Sequence, residues 1–514
     1  MFKDEPRCKV WDEIRQHDLR TFAKQLSPEL FAEVALRAGL QIVSSPLNLV
    51  NLVWLGIAGA MQQAASFAFV LTTTLKLLED QQAFASTQLG NEQRKGRQRA
   101  KRQKSKRGKR GRKSKHDPRR ADPTELSEEA FAQARQRMPL KFWVFLVLVL
   151  AERFERDHAR HLDCHGFRLL AMDGTTLTLP NFQPLREHYG VPKNGRRKKR
   201  AAPQARMVML TLPTVRIPIA YEVGPLSDSE LTLAAKLAPQ LRANDLVLMD
   251  RGFISYGLFW QLQRRGVFFG TRLKKGLKYR RVKQLGPKDW LIQWTPKDSR
   301  RHWKRAGLPR SIQLRVIEYQ IKGFRPSAVL TNTLDPQRLS REDWVRLTSD
   351  CEQKGKLTPG LYHRRWEIET TYFELKVTLQ MKSLRSRTPA SVEYELAGHV
   401  VYYLLLRWLI VLAAEKHGLD PLRISFTHAV RELECMRPAL VTSNLTWICE
   451  VLLPRLLARI ASHTVPLRPG RHYPRPNDTK PKDKGRGLRQ LASKLSNRCN
   501  SNHHKQQRKR PCKA

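Results

Sequence analysis

The sequence predicts an α/β fold: a mixed sheet flanked by helices, with a β-rich insertion and all-α regions before and after it. Three observations carry that expectation. The middle of the chain runs three strands, helix, strand, helix, strand, insertion, helix, judged by where apolar periodicity switches between about 2 and about 3.6 residues. Two of its apolar runs end in acid: FRLLAMDGTTLTLP (167–180) carries Asp173 before Gly174, and DLVLMD (245–250) closes on Asp250 before Arg251 and Gly252. LYHRRWEIETTYFELKVTLQ (361–380) has no Gly or Pro inside and reads as one amphipathic helix.

Taken in order, residues 1–93 form a helical N-terminal region, with helical period over Trp11–Phe22 and Pro28–Leu40. Ala38–Leu75 carries no charge, and Leu47–Val70 is long enough to span a bilayer. Pro46, Asn48, Asn51, Gln62 and Gln63, with Gly56 and Gly59, favour two buried helices over a membrane anchor. Residues 94–121 are a basic linker, RKGRQRAKRQKSKRGKRGRKSKHDPRR over 94–120, which cannot bury a core and is expected to be disordered when free. A helical segment follows over 122–165. Its FWVFLVLVLA (142–151) is too short to span and suits a core helix.

Residues 166–380 make the central domain. After the strand bearing Asp173 comes a basic loop, KNGRRKKR (193–200), then a hairpin, 205–212 and 215–225, around Pro213 and Thr214. SDSELTLAAKLAPQL (227–241) opens on capping residues and continues with helical period. The short run 245–250 is of buried-strand type, 254–265 is helical and 266–273 is another strand. Residues 274–325 read as the insertion, basic and bearing Trp290, Trp294 and Trp303, before 327–334 resumes a strand. Residues 381–465 are a C-terminal helical region built on the long apolar stretch 389–417, and 466–514 form a basic tail expected to be disordered.

Charge narrows the function classes. Among 514 residues, 95 Lys and Arg face 46 Asp and Glu, a net charge of +49 with a pI near 10.7. Such an excess calls for a polyanionic partner, with nucleic acid ahead of an anionic membrane. The seven Cys include no C-x-x-C pair, which points to a reducing compartment and against a disulfide framework or structural zinc site. The polar start MFKDEPRCKVWDE is no signal peptide, so a cytoplasmic location is expected.

On a wheel with Tyr362 at zero, Arg365 falls near 300°, Glu369 near 340° and Lys376 near 320°, at about 100° per residue. Leu361, Ile368, Tyr372, Leu375 and Leu379 fall between roughly 220° and 280°, so an apolar stripe borders the polar row. Charges beside a buried face are costly unless paired or bound to something. Glu367 and Glu374 point away from the row. Asp173, Asp250 and Glu369 together, without His or Cys, form a hard oxygen donor set suited to Mg²⁺ or Mn²⁺. Two such ions about 4 Å apart serve phosphodiester chemistry.

These residues resemble the DDE transposases of the insertion-sequence-4 family. Tyr362, Arg365, Glu369 and Lys376 match the spacing Y-x-x-R-x-x-x-E-x-x-x-x-x-x-K, and DGTTL at Asp173 and DRGF at Asp250 look like the first two acidic motifs. RPGRHYPRP (468–476) is similar to the family's C-terminal region, so the resemblance covers roughly 165–476. It implies an RNase H-like core with a β-rich insertion between the last strand and the Glu-bearing helix. It implies Asp173, Asp250 and Glu369 as catalytic metal ligands for two Mg²⁺ or Mn²⁺ ions, and Tyr362, Arg365 and Lys376 as contacts to transposon-end DNA. The family cuts at element ends by metal-assisted hydrolysis, and the freed 3′-hydroxyl attacks target DNA. Some members stack a flipped base on Trp, which makes Trp366 a further DNA-binding candidate beside a packing role. A homodimer on paired ends is implied as well. The long run 94–120 and the N-terminal region match none of the family's motifs. The alternatives are an inactive basic DNA-binding protein that keeps the fold, and a membrane-associated protein anchored by 38–75.

Overall fold

The structure, a computed structural model, describes residues 22, 25–42, 48–61, 128–192, 201–295, 307–320, 326–345, 352–353, 356–357, 360–442 and 447–466. The basic run 94–120, the loop 193–200, Trp303 and the tail from 467 lie outside these residues, as do 1–21 and 62–75.

The centre is one mixed sheet. Its strands are β1 (Asp163–Cys164), β2 (Phe167–Thr178), β3 (Gln204–Leu212), β4 (Ile217–Pro225), β5 (Asp245–Met249), β6 (Phe268–Arg272), β7 (Arg280–Gly286), β8 (Asp289–Trp294), β9 (Ile312–Tyr319) and β10 (Ser327–Thr331). They lie in the order β4-β3-β2-β5-β6-β10-β9-β8-β7, with β1 paired to β2. Strand β3 runs antiparallel to both of its neighbours, β2 and β4, whereas β2, β5 and β6 run parallel. Three antiparallel strands followed by two parallel ones is the RNase H-like core that the resemblance implies. The five residues of β5 are all buried, as expected of a strand covered on both faces.

Two readings change. Asp173 does not end its strand: β2 continues through Gly174 to Thr178, because the antiparallel partner β3 keeps pairing there after parallel β5 has stopped at Met249. The insertion is not a separate body. Strands β7 to β9 join β10 and extend the central sheet from the edge of β6, all antiparallel.

The helices are α1 (Pro28–Ala38), α2 (Leu49–Met61), α3 (Glu128–Arg137), α4 (Leu140–Asp157), α5 (Gln183–Tyr189), α6 (Glu230–Leu237), α7 (Tyr256–Arg264), α8 (Arg341–Val345), α9 (Trp366–Phe373), α10 (Pro389–His417), α11 (Phe426–Thr442) and α12 (Leu453–Ala461). Capping chemistry starts several of them: Ser27, Ser229 and Thr388 each accept the backbone N–H of the residue three ahead. Pro139 separates α3 from α4. The N-terminal helices are not independent of the rest, since α2 and α4 pack on α10. At the α2–α10 crossing a methyl group on Gly398 would lie 2.6 Å from the Gly56 carbonyl oxygen, so only Gly allows that approach. Helix α10 is long and apolar enough to cross a membrane, but 94% of its most apolar window is buried inside the protein.

Both sheet faces are covered. One carries the main core with Leu170, Met172, Val247 and Met249, and the other a smaller core with Leu169, Leu246, Leu248, Trp344, Leu361 and Tyr362. Alternation along β2 and β5 assigns neighbouring residues to opposite cores. The 361–380 segment crosses between them. Leu361 and Tyr362 sit in the smaller core, while Ile368, Tyr372, Leu375 and Leu379 sit in the main one. The apolar stripe expected on this helix is thus buried throughout. Its winding is not uniform: Leu361–Arg365 is a 3₁₀ turn, α9 is α-helical, and Glu374–Thr378 is a π turn.

Candidate active site

Parallel pairing of β2 with β5 runs in register up to Met172 opposite Met249. One step further along each strand stand Asp173 and Asp250, so the backbone alone makes these two acids neighbours at the spacing of adjacent strands, about 4.8 Å. The helical segment 361–378 runs past this edge and brings Glu369 to the same place. The link is Arg365, whose Nη2 donates to Glu369 Oε1 at 2.6 Å and whose Nη1 donates to Asp173 Oδ2 at 3.4 Å. The three predicted acids therefore converge, with a guanidinium among them.

Burial pushes the Asp173 carboxyl up to about 6. The Gly174 N–H and the Arg365 charge oppose that rise, and the charges of Glu369 and Asp250 add to it. Burial works against the Arg365 charge, yet the hydrogen bond to Glu369 and the nearby negative charges hold its pKa above the usual arginine value. Among the described residues the Asp250 carboxylate has no hydrogen bond or ion pair with another side chain. The donor chemistry suits a divalent cation, being three carboxylates at one sheet edge. Among the described residues, however, no three His, Cys, Asp or Glu stand close enough to share an ion in this geometry.

The other predicted residues divide. Lys376 reaches β2, pairing with the Thr175 hydroxyl and donating to the Thr176 carbonyl at 2.9 Å, two and three residues beyond Asp173. Burial lowers its pKa. Trp366 is 43% exposed beside the site, with the Arg365 guanidinium 5.2 Å from its ring centre. Tyr362, expected at the DNA face, is instead buried: its hydroxyl accepts the Arg272 N–H at 3.1 Å and donates to the Met249 carbonyl at 3.4 Å. Tyr362 lies in the 3₁₀ turn that leads into α9, and there its ring joins the smaller core over the ends of β5 and β6.

Several residues that position the site carry no recognisable motif. Tyr372 donates from its hydroxyl to the Asp173 carbonyl at 2.8 Å, tying α9 to the strand beneath it. Glu367 and Glu374 do point away from the polar row, and the structure gives them work. In the β3–β4 turn, Arg216 adopts a left-handed backbone (φ 59°) and reaches Glu367 at 2.6 Å and Glu374 at 3.0 Å. The other oxygen of Glu374 accepts from Tyr403 at 2.7 Å and pairs with the fully buried Arg407 on α10. The helix bearing Glu369 is thereby pinned on one side by a hairpin turn and on the other by α10. Glu230 sits against both acidic motifs: a methyl group on Gly174 would meet its Cδ at 2.5 Å, and one on Gly252 would lie 4.0 Å from its Oε2. A side chain at position 174 would therefore have to displace the Glu230 carboxylate, which lies across the backbone of β2 there. Only the repeated Asp–Gly and Asp–x–Gly pattern hinted at this, and it names no partner.

Comparison with known proteins shows what this chain is similar to. The family model described as the transposase DDE domain matches residues 165–405. The transposase InsG for insertion sequence element IS4, from Escherichia coli strain K12, is 29% identical over 366 residues, which is 68% of this chain and 76% of the relative. InsZ from the same strain is 31% identical over 147 residues, 27% of this chain and 47% of the relative. A cryo-EM structure of the piggyBac transposase synaptic complex with hairpin DNA aligns at a TM-score of 0.30 and 13% identity, over 61% of this chain and 60% of that one. That likeness is too distant to carry any inference about this chain.

Proposed function

This chain belongs to the DDE transposases of the insertion-sequence-4 family, and from that premise we propose that it cleaves DNA at the ends of an insertion sequence and joins the freed 3′-hydroxyls to target DNA. The observation that carries this reading is the meeting of Asp173, Asp250 and Glu369 at one sheet edge, with Arg365 between two of them. Asp173, Asp250 and Glu369 would hold Mg²⁺ or Mn²⁺, one ion or two, which when bound supplies Lewis-acid charge to phosphodiester cleavage. Asp173 and Asp250 are fixed by strand register, and Glu369 by a helix pinned at both flanks, which is the preorganisation such chemistry needs. Lys376 and Arg365 are cations beside these acids and would take backbone phosphates, Arg through a fork and Lys as a mobile point charge. Trp366, exposed next to them, would stack on an unpaired base.

The net charge of +49 supports a DNA partner and makes binding steeply salt-dependent. A pair of copies on two synapsed ends, acting on nucleoid DNA in a bacterial cytoplasm, completes the proposal. Its test is cleavage and strand transfer by purified protein with Mg²⁺ on duplexes carrying the terminal inverted repeats that flank its coding region. Product is expected from the natural chain and none above background from Asp250→Asn or Glu369→Gln, each still binding the duplex. Undiminished transfer by both variants would sink the assignment of the acids.

A further inference from the structure

We propose that Arg365 is a cation surrogate for Asp173 and Glu369, and that its release from them couples divalent-cation loading to capture of a DNA end. The inference rests on the reading of these acids as cation ligands and goes beyond it. Its ground is the way this arginine is shared between two carboxylates, set against two fully bonded arginines of the fold. Arg168 closes a fork on Asp245, with Nε and Nη2 each 2.7 Å from a carboxylate oxygen, and uses Nη1 on Glu155. Arg315 grips both oxygens of the buried Asp289 and spends its third nitrogen on the Leu339 carbonyl at 2.7 Å. Those guanidiniums are saturated and serve the fold.

Arg365 is as buried, with its side chain 6% exposed, yet it is held incompletely. It gives one nitrogen to each of two carboxylates, the Asp173 contact is long at 3.4 Å, and its Nε is buried without a hydrogen-bond partner. A buried donor left unmade costs stability, and the single-nitrogen, 3.4 Å hold on Asp173 is weaker than the forked grip of Arg168 or Arg315. The guanidinium bridges the same oxygens that a divalent cation would need, and like charges cannot share them at about 4 Å. It also separates Asp173 from Glu369, which agrees with the absence, among the described residues, of three donors grouped closely enough for an ion. The guanidinium already lies over the half-exposed Trp366 ring, 5.2 Å from its centre, a contact that borders solvent and can be kept when the carboxylates are given up.

Two ligands then act on one switch. A cation gains its oxygens only when Arg365 leaves, and a DNA phosphate gains Arg365 only when it leaves the carboxylates. By linkage each must tighten the other, with a coupling of about 5- to 150-fold. The experiment titrates Mn²⁺ into the full chain, following free Mn²⁺ by electron paramagnetic resonance, with and without a 5′-phosphorylated terminal-repeat duplex and with a duplex-only blank. Arg365→Gln and Arg365→Lys are compared with the natural chain after circular dichroism confirms folding. The natural chain is expected to bind Mn²⁺ at least about 5-fold more tightly with the duplex than without it. Arg365→Gln should bind Mn²⁺ more tightly without DNA and lose most of the DNA-dependent gain, while Arg365→Lys, which keeps the charge, retains part of it. An equal DNA-dependent gain in the natural chain and Arg365→Gln overturns the proposal while leaving the metal assignment intact. Failure of the natural chain to bind Mn²⁺ in either state overturns both.

Discussion

Replacing Arg407 by Met should loosen the catalytic helix more than any substitution on its exposed face. Arg407 is fully buried on α10, and its guanidinium pairs with Glu374, whose side chain is 6% exposed. Removing one member of a buried pair leaves an uncompensated charge, at a cost of about 3–5 kcal/mol. Glu374 would keep Arg216 at 3.0 Å and Tyr403 at 2.7 Å, which places the expected loss at the lower end, about 3 kcal/mol. Met is near in volume, so little cavity is added. A loss of that size is roughly a hundredfold in an opening equilibrium. Hydrogen exchange over 366–378 reads it directly, and protection should fall about a hundredfold in that segment, well beyond any change in β2 or β5. Adding Glu374→Gln removes the stranded charge and should restore much of the protection. A fall under about tenfold, or no recovery in the double variant, would refute the pinning of this helix by a buried ionic network.

Three other outcomes follow from the same geometry. Gly174→Ala would drive a methyl group to 2.5 Å from the Glu230 Cδ, so a loss of about 1–3 kcal/mol is expected in denaturant unfolding, and Glu230→Ser in the same chain should recover most of it. Tyr362→Phe removes the acceptor of the Arg272 N–H and should cost about 1–3 kcal/mol while leaving duplex affinity in a gel-shift assay unchanged; weaker DNA binding at unchanged stability would return Tyr362 to the DNA face. Burial lowers the pKa of His399 and His161, so both fold neutral, and the unfolded chain binds protons first as pH falls below about 6.5. Their contribution is present above that pH and lost below it. Asp173, raised to about 6, acts in the opposite sense and gains a proton when folded. The discriminating measurement is thus differential: His399→Gln should lose less stability than the natural chain in urea unfolding between about pH 7.5 and 5.5. Equal losses would count against a neutral buried His399.

Much of the site was legible because its parts are local. The apolar stripe of 361–380 follows from periodicity, and every residue assigned to it is buried. Asp173 and Asp250 stood out as acids in buried runs, and the hairpin and the long helix 389–417 were found at nearly their observed bounds. Glu367 and Glu374 were correctly turned away from the polar row, but nothing in their spacing names Arg216 or Arg407, 158 and 33 residues distant in sequence from Glu374.

By itself, the sequence determined the class of fold, the chemistry of the donors and the charge of the partner, because periodicity, side-chain identity and net charge survive without knowledge of contacts. Only the tertiary structure decided register and state. Parallel pairing at Met172 and Met249 makes two acids, 77 residues apart in sequence, adjacent. Packing of the Leu361–Arg365 turn over the sheet buries Tyr362 against strand ends. Arg365 of the polar row spans two carboxylates in the folded chain, Glu369 from the row itself and Asp173 from β2. Helix periodicity can bring Arg365 and Glu369 together, four residues apart on one face. It cannot supply Asp173 from across the sheet, and the balance of charge at that junction depends on all three.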